Sequence, residues 1–77
     1  MKRTRYFEAR IADHGISPEW CQRVVANPVE VREQNNGWFQ MWGFIEEEGK
    51  FLRVITLEDR ETLHNAFFDR PYTRRHR

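Results

Sequence analysis

The sequence contains 77 residues with a net charge of +1, and Cys21 is its only cysteine. A chain of this length supports one domain over residues 1–77 and excludes a two-domain enzyme, because it buries only about 60% of its unfolded surface. A lone cysteine excludes an internal disulfide framework and favours a reducing, cytoplasmic location. The apolar runs fall well short of the about 20 residues of a spanning helix, so no membrane segment is expected.

Basic residues are concentrated at the two ends of the chain, and the middle is acidic. Residues 6–69 hold six basic and twelve acidic side chains, so contact with a polyanion should depend on local basic clusters. The candidate RNA-binding residues are Arg32, Arg74, Arg75 and Arg77. In the alternative interpretation, residues 1–4 and 71–77 are flexible, solvated tails.

Two helices are predicted at the beginning of the chain. Thr4 is a suitable N-cap for a helix over residues 5–13, and Gly15 is a typical C-terminal stop. Ser17, followed by proline, caps a second helix, which Asn27-Pro28 ends.

From residue 29 the hydrophobic period changes from helical spacing to two. Four strands are predicted over residues 29–35, 38–45, 51–57 and 62–68, with short turns between them. Consecutive strands joined by short turns form an antiparallel meander. The predicted fold class is therefore α+β, with two N-terminal helices packed on one face of a four-stranded antiparallel sheet.

The Asn36-Gly37 dipeptide decides the predicted register of the sheet. As the centre of a two-residue type I′ turn, it pairs Val31 with Trp42. Carried through the later hairpins, this register defines the face that the two helices should cover. That face contains Val29, Val31, Trp38, Trp42, Phe44, Leu52, Val54, Leu63 and Phe67.

The opposite face of the predicted sheet is unusually apolar for a solvated surface. We expect it to be covered by the C-terminal segment from Pro71 onward, by a second copy of the chain, or by a partner protein. The candidate partner-binding residues are Phe39, Met41, Ile45, Phe51, Ile55 and Phe68.

The predicted register also makes Arg53 and His64 diagonal neighbours on that opposite face. Arginine can hold a phosphate by two parallel hydrogen bonds, and histidine exchanges protons near neutral pH. Together they suit metal-independent cleavage of a phosphodiester by its own 2′-hydroxyl. In the alternative interpretation, His64 is a structural hydrogen-bonding residue and Arg53 pairs with Glu30 or Asp69. The three scattered histidines predict no metal site, and no cofactor motif is present.

Several short motifs resemble those of small bacterial BrnT-like proteins, which belong to the broad RelE/ParE-like toxin group. The motifs are His14-Gly-Ile-Ser-Pro-Glu19, Asn27-Pro28, Phe51-Leu-Arg-Val-Ile-Thr56 and Thr62-Leu-His-Asn-Ala-Phe-Phe-Asp-Arg70. The resemblance covers about residues 10–70 in the order of elements. It implies two helices before an antiparallel sheet.

The resemblance also implies a function. In that group, an RNA-cleaving toxin is neutralised by a partner antitoxin. The resemblance implies Arg53, His64 and Arg70 as catalytic candidates, because they are basic positions on the late strands and just beyond them. The expected function is thus the ribonuclease toxin of a toxin–antitoxin pair, in the bacterial cytoplasm. The alternative is a noncatalytic interaction module, or a homodimer, that uses the apolar sheet face.

Overall fold

The computed structural model describes residues 1–76, and its element order confirms the predicted α+β fold class. The sheet has four strands, and neighbouring strands in the chain pair antiparallel. The elements are α1 (Arg5–His14), α2 (Pro18–Ala26), β1 (Glu30–Glu33), β2 (Phe39–Ile45), β3 (Lys50–Thr56), β4 (Leu63–Phe68) and α3 (Arg70–Arg75). Among these described residues, no helix has the length and apolar character needed to cross a membrane.

The two predicted helices begin and end at the expected capping residues. The Thr4 hydroxyl accepts the Phe7 N–H at 3.1 Å, and Gly15 ends α1 in the left-handed conformation with φ 63°. Ser17 caps α2 by accepting the Glu19 N–H at 3.2 Å. Each cap satisfies a backbone group that the helix itself leaves unpaired.

The turn between β1 and β2 has three residues, 35–37, instead of the predicted two. The Gln34 N–H donates to the Trp38 carbonyl at 2.8 Å and closes the turn. Val31 therefore pairs with Met41, one residue away from the predicted partner. Because side chains alternate along a strand, this single step exchanges the two faces of β2.

The prediction that Trp42 lies beneath α1 and α2 is wrong. Trp42 pairs with Glu30 on one side and Arg53 on the other, and its ring stacks on Tyr72 of α3 at 5.0 Å. Phe67, opposite Arg53 in the sheet, shares that face. Val29, Val31 and Phe44, also predicted for the helix-covered face, are exposed.

The main core lies between the sheet and the helices α1 and α2. Leu52, Val54 and Leu63 are fully buried there, as predicted, whereas Met41 and Ile45 replace the predicted residues of β2. The complete buried cluster is Phe7, Ile11, Ile16, Cys21, Val24, Met41, Ile45, Leu52, Val54, Leu63 and Ala66.

The predicted partner-binding residues consequently do not form one surface. Met41 and Ile45 are 2% and 0% exposed, and Phe39 and Phe68 pack against the same core. Side chains along β3 alternate between the two faces of the sheet. Leu52 is buried on the helix-covered face, so Phe51 and Ile55 lie on the other face. The register shift explains the error, because it moves the apolar residues of β2 inward.

Both ends of the chain make contacts with the sheet, although most of their residues are exposed. In the C-terminal segment, α3 buries Tyr72 and Thr73 against the second face of the sheet. At the other end, Leu63 donates its N–H to the Lys2 carbonyl and accepts the Thr4 N–H. The C-terminal segment, one of the three expected alternatives, therefore covers part of the second face of the sheet. Arg77 lies outside the described residues.

Close packing of α2 on β2 depends on Gly43. A Cβ at this position would lie 2.8 Å from Cγ2 of Val24, which is closer than van der Waals contact allows. We expect Gly43→Ala to lower the free energy of unfolding by about 1–3 kcal/mol, as overpacked core variants do. In a Val24→Ala background the same substitution should cost less, because the opposing methyl groups are gone. Urea unfolding of the four variants measures both effects, and strictly additive losses would contradict this contact.

Candidate functional site

Arg53 is held by a carboxylate at the beginning of α3. Its Nε and Nη2 atoms donate to Oδ2 of Asp69 at 3.0 and 2.6 Å. Trp42 Nε1 donates to the same oxygen at 3.0 Å, and the Tyr72 N–H donates to Oδ1. The alternative interpretation, that Arg53 pairs with Asp69, is therefore confirmed. The guanidinium group joins β3 to α3.

The Asp69 carboxylate is ionised at neutral pH although it is buried. Burial alone would raise its pKa, but the hydrogen bonds from Trp42 and Arg53 outweigh burial and hold the pKa below its ordinary value. The ion pair is thus a structural contact, with the Arg53 side chain 27% exposed and the Asp69 side chain 4% exposed.

His64 lies in an aromatic cluster next to α1. Its Nδ1 atom is 3.0 Å from the Thr4 hydroxyl oxygen. Its ring stacks on Tyr6 at 5.1 Å and meets the Trp38 ring edge-on at 4.5 Å. These contacts fit the alternative interpretation of His64 as a structural residue.

The predicted diagonal pairing of Arg53 with His64 is wrong. Arg53 pairs with Phe67, and Ile55 pairs with Asn65, with an irregularity in the ladder between Ile55 and Thr56. The extra residue in β4 shifts the pairing by one position and re-aims the side chains. Neither Arg53 nor His64 lines the cavities that contain Arg70, so the three predicted catalytic residues do not form one site.

Arg70 instead lines a cleft where three element ends converge. His14 ends α1, Lys50 begins β3 and Arg70 begins α3. A cavity of about 270 Å³ is lined by His14, Ile16, Lys50, Phe67, Phe68 and Arg70. An adjoining cavity of about 400 Å³ is lined by Gly49, Lys50, Arg70, Thr73 and Arg74. We call the two together the basic cleft, and its ionisable residues are His14, Lys50, Arg70 and Arg74.

An aromatic surface continues from the basic cleft across the β2–β3 turn. A third cavity, of about 460 Å³, is lined by Phe44, Gly49, Phe51 and His76. It shares Gly49 with the basic cleft. Phe44 is 43% exposed and meets Phe51 edge-on at 5.1 Å. Cationic groups and an accessible aromatic ring therefore lie side by side on this part of the surface.

The predicted RNA-binding arginines within residues 1–76 do not all line the basic cleft. Arg74 lines the basic cleft, and Arg75 lies over the Tyr72 ring at 5.8 Å. Arg32, by contrast, donates to Glu30 at 2.6 Å on β1 and lines neither cavity of the basic cleft.

Sequence reasoning missed His14 and Lys50 as members of the cleft. His14 is the last residue of α1, and next to Gly15 it carries only the signal of a helix end. The only sequence signal at Lys50 is that of a turn, because the residue follows Gly49. Neither pattern indicates that the two residues lie near Arg70, because only the tertiary fold brings the three element ends together.

The chemistry available in the basic cleft is phosphate binding and proton exchange. Lysine and arginine bind phosphate, and imidazole exchanges protons near neutral pH. Burial raises the pKa of the Cys21 thiol to about 12, so that thiol is no nucleophile at neutral pH. Within residues 1–76, no three side chains of the metal-ligating types form a group that could hold an ion.

Comparisons with protein-family models, with curated proteins and with solved structures give no match to this chain. The functional interpretation therefore depends on the chemistry of the basic cleft and of the aromatic surface beside it.

Proposed function

We propose that the protein binds single-stranded RNA in the basic cleft and cleaves it as the toxin of a toxin–antitoxin pair. The observation that carries the proposal is the convergence of His14, Lys50 and Arg70 on one cavity. Arg70, a catalytic candidate in the sequence-based hypothesis, takes the phosphate-binding role. His14 takes the place of His64, because His64 is committed to the aromatic cluster.

Two features of the surface favour a single strand as the ligand. Lys50, Arg70 and Arg74 offer positive charge for successive phosphates. The accessible Phe44 ring offers a platform on which a base can stack. Stacking of this kind requires bases whose faces are open, as they are in single strands.

The proposed reaction needs no metal ion. The 2′-hydroxyl oxygen attacks the adjacent phosphorus as His14 accepts the hydroxyl proton. The bond to the 5′-oxygen breaks, and that oxygen takes a proton from solvent in the open cleft. The products are a 2′,3′-cyclic phosphate and a 5′-hydroxyl. Lys50 and Arg70 stabilise the charge that develops on the phosphoryl oxygens.

The proposed partner is an antitoxin with an acidic segment. Such a segment would neutralise the toxin by occupying the basic cleft in place of RNA, because charge complementarity drives both contacts. The resemblance to BrnT-like proteins supports a toxin–antitoxin pair in the bacterial cytoplasm, where RNA is available. Growth arrest on expression, relieved by a neighbouring gene product, is the expected cellular result.

We expect Lys50→Gln and Arg70→Gln each to weaken the binding of a single-stranded RNA of about 10 nucleotides by roughly tenfold. Each substitution should also make the slope of log K against log salt concentration shallower, by about 0.7 per lost phosphate contact. Fluorescence anisotropy over a salt series measures both. The matched control is Arg60→Gln, which removes the same charge from the β3–β4 turn, where Arg60 lies over Phe39.

An RNA-cleavage assay distinguishes the two histidines that are candidates for the general base. His14→Ala should abolish formation of the cyclic phosphate while RNA binding persists, and His64→Ala should retain it. The same oligonucleotide made of DNA should bind but stay intact, because it lacks the 2′-hydroxyl. Cleavage that disappears in His64→Ala and survives in His14→Ala would refute the assignment. Binding without cleavage by the unmodified protein would refute the catalytic part of the proposal.

A further inference from the structure

The outer edge of the sheet at β1 is exposed, with three of the four residues of this strand on the surface. Within residues 1–76, β1 pairs only with β2. Val29 and Val31 are 63% and 37% exposed, and they are among the most exposed large apolar residues of the protein. An exposed strand edge with apolar side chains is a template for pairing with another strand.

The backbone of β1 presents hydrogen-bonding groups outward at Val31 and Glu33. The Gln34 N–H points inward, to the Trp38 carbonyl. Because the direction alternates along an antiparallel strand, Arg32 and Glu30 also face β2, and the intervening residues face outward. The alternation ends at Val29, whose N–H turns inward to Trp42.

This alternation and the charges of β1 together select one register for pairing with an identical strand. Two antiparallel copies can pair only through residues that face outward. When Val31 lies opposite Val31 of the second copy, each Glu30 lies opposite Arg32 of the other copy. Both facing pairs then have opposite charges. Either neighbouring register would place Glu30 opposite Glu30, or Arg32 opposite Arg32, and like charges directly opposite are unfavourable.

We propose that β1 is a self-association edge, at which two copies of this chain pair antiparallel about a two-fold axis at Val31. The result is one continuous eight-stranded sheet. Both pairs of N-terminal helices then lie on one face, and both α3 helices lie on the other. This interface is independent of the proposed RNA cleft and could exist without it.

The side chains of β1 are already placed for this contact. Glu30 accepts the Tyr72 hydroxyl with Oε1 at 2.8 Å and Arg32 with Oε2 at 2.6 Å. On association, each Arg32 exchanges its own Glu30 for that of the second copy. The hydroxyl of Tyr72 keeps the Glu30 carboxylate near the edge throughout.

Association should be weak and concentration-dependent, because four-residue strands bury far less than the about 1,000 Å² of a stable interface. Sedimentation equilibrium at protein concentrations from about 10 μM to 1 mM detects association with a dissociation constant in that range. The weight-average mass should rise from 9.5 kDa towards twice that value. A mass that stays at the monomer value throughout would overturn the proposal.

Val31→Pro tests the edge itself. Proline removes the outward N–H of residue 31 and leaves the hydrogen bonds to β2, so it is tolerated on this side of an edge strand. The variant should remain monomeric, whereas the matched control Val31→Thr should associate like the unmodified protein. Association that persists undiminished in Val31→Pro would place the interface elsewhere and refute the proposal.

Charge reversal tests the register. At low salt, Arg32→Glu alone and Glu30→Arg alone should each associate about tenfold more weakly or worse, since like charges then face each other. An equimolar mixture of the two variants should form heterodimers, because every facing pair is again of opposite charge. Near-UV circular dichroism checks that each variant is folded, because Glu30→Arg also removes the Tyr72 hydrogen bond. A mixture of folded variants that stays monomeric would contradict the register.

Discussion

Replacing Asp69 with alanine should lower the free energy of unfolding by about 3–5 kcal/mol, the usual result of removing one partner from a buried ion pair. The substitution leaves Arg53 and the indole N–H of Trp42 without their acceptor. It also removes the N-cap of α3, where Oδ1 accepts the Tyr72 N–H. Urea unfolding followed by tryptophan fluorescence measures the loss.

Asp69→Asn is the control that separates charge from shape. The amide oxygen can still accept one hydrogen bond and cap α3, but the charge that balances Arg53 is gone. The expected loss is therefore smaller than for alanine. If the alanine variant retained the stability of the unmodified protein to within about 1 kcal/mol, the carboxylate would not be the joint between α3 and the sheet.

The same carboxylate should make stability depend on pH on the acid side. Its pKa is lowered in the folded protein, so the unfolded chain binds a proton more readily than the folded one. The contribution of Asp69 is complete above the ordinary pKa of about 3.9, and it is lost as pH falls through the lower, folded-state value. The difference in stability between the unmodified protein and Asp69→Asn should shrink over that range.

Replacing Phe7 with alanine should also cost about 3–5 kcal/mol, as expected for truncating a buried aromatic side chain. Phe7 is fully buried in the cluster between α1 and the sheet. Its backbone N–H, which bonds to Thr4, is unaffected, so the loss reports packing alone. Thermal and urea unfolding measure it.

Two controls accompany the Phe7 prediction. Phe7→Leu retains most of the volume and should cost less than alanine. Tyr6→Ala, on the same turn of α1 but 49% exposed, should also cost less, because its ring is largely in solvent already. Equal losses for Phe7→Ala and Tyr6→Ala would mean that burial does not distinguish the two rings.

The sequence predicted the first two helices and the four strands, but it missed α3 and placed the β1–β2 and β3–β4 registers one residue away from those observed. Caps such as Thr4 and Ser17 are local signals, because the acceptor and donor lie within a few residues. The Asn36-Gly37 dipeptide is compatible with both a two-residue and a three-residue loop. The choice depends on the hydrogen bonds of Gln34 and Trp38, and one step exchanged the faces of β2.

The candidate site was predictable only in part for a related reason. Charge clustering pointed to Arg74 and the family resemblance pointed to Arg70, and both residues line the basic cleft. His14 lies more than fifty residues away in the chain, and the approach of α1 to α3 has no signature in local sequence. The Arg53–His64 hypothesis depended on strand register, where an error of one residue redirects a side chain.

The N-terminal segment limits how the sheet can grow. Lys2 and Thr4 occupy the outward hydrogen-bonding groups of Leu63 at the beginning of β4, so a strand approaching that edge would first have to displace them. A sheet with two open edges could add molecules without end and form fibrils, whereas one accessible edge allows a closed pair. A chain that lacks residues 1–3 would lose the Lys2 carbonyl from this edge and should accordingly be more prone to fibrillar aggregation than the full chain.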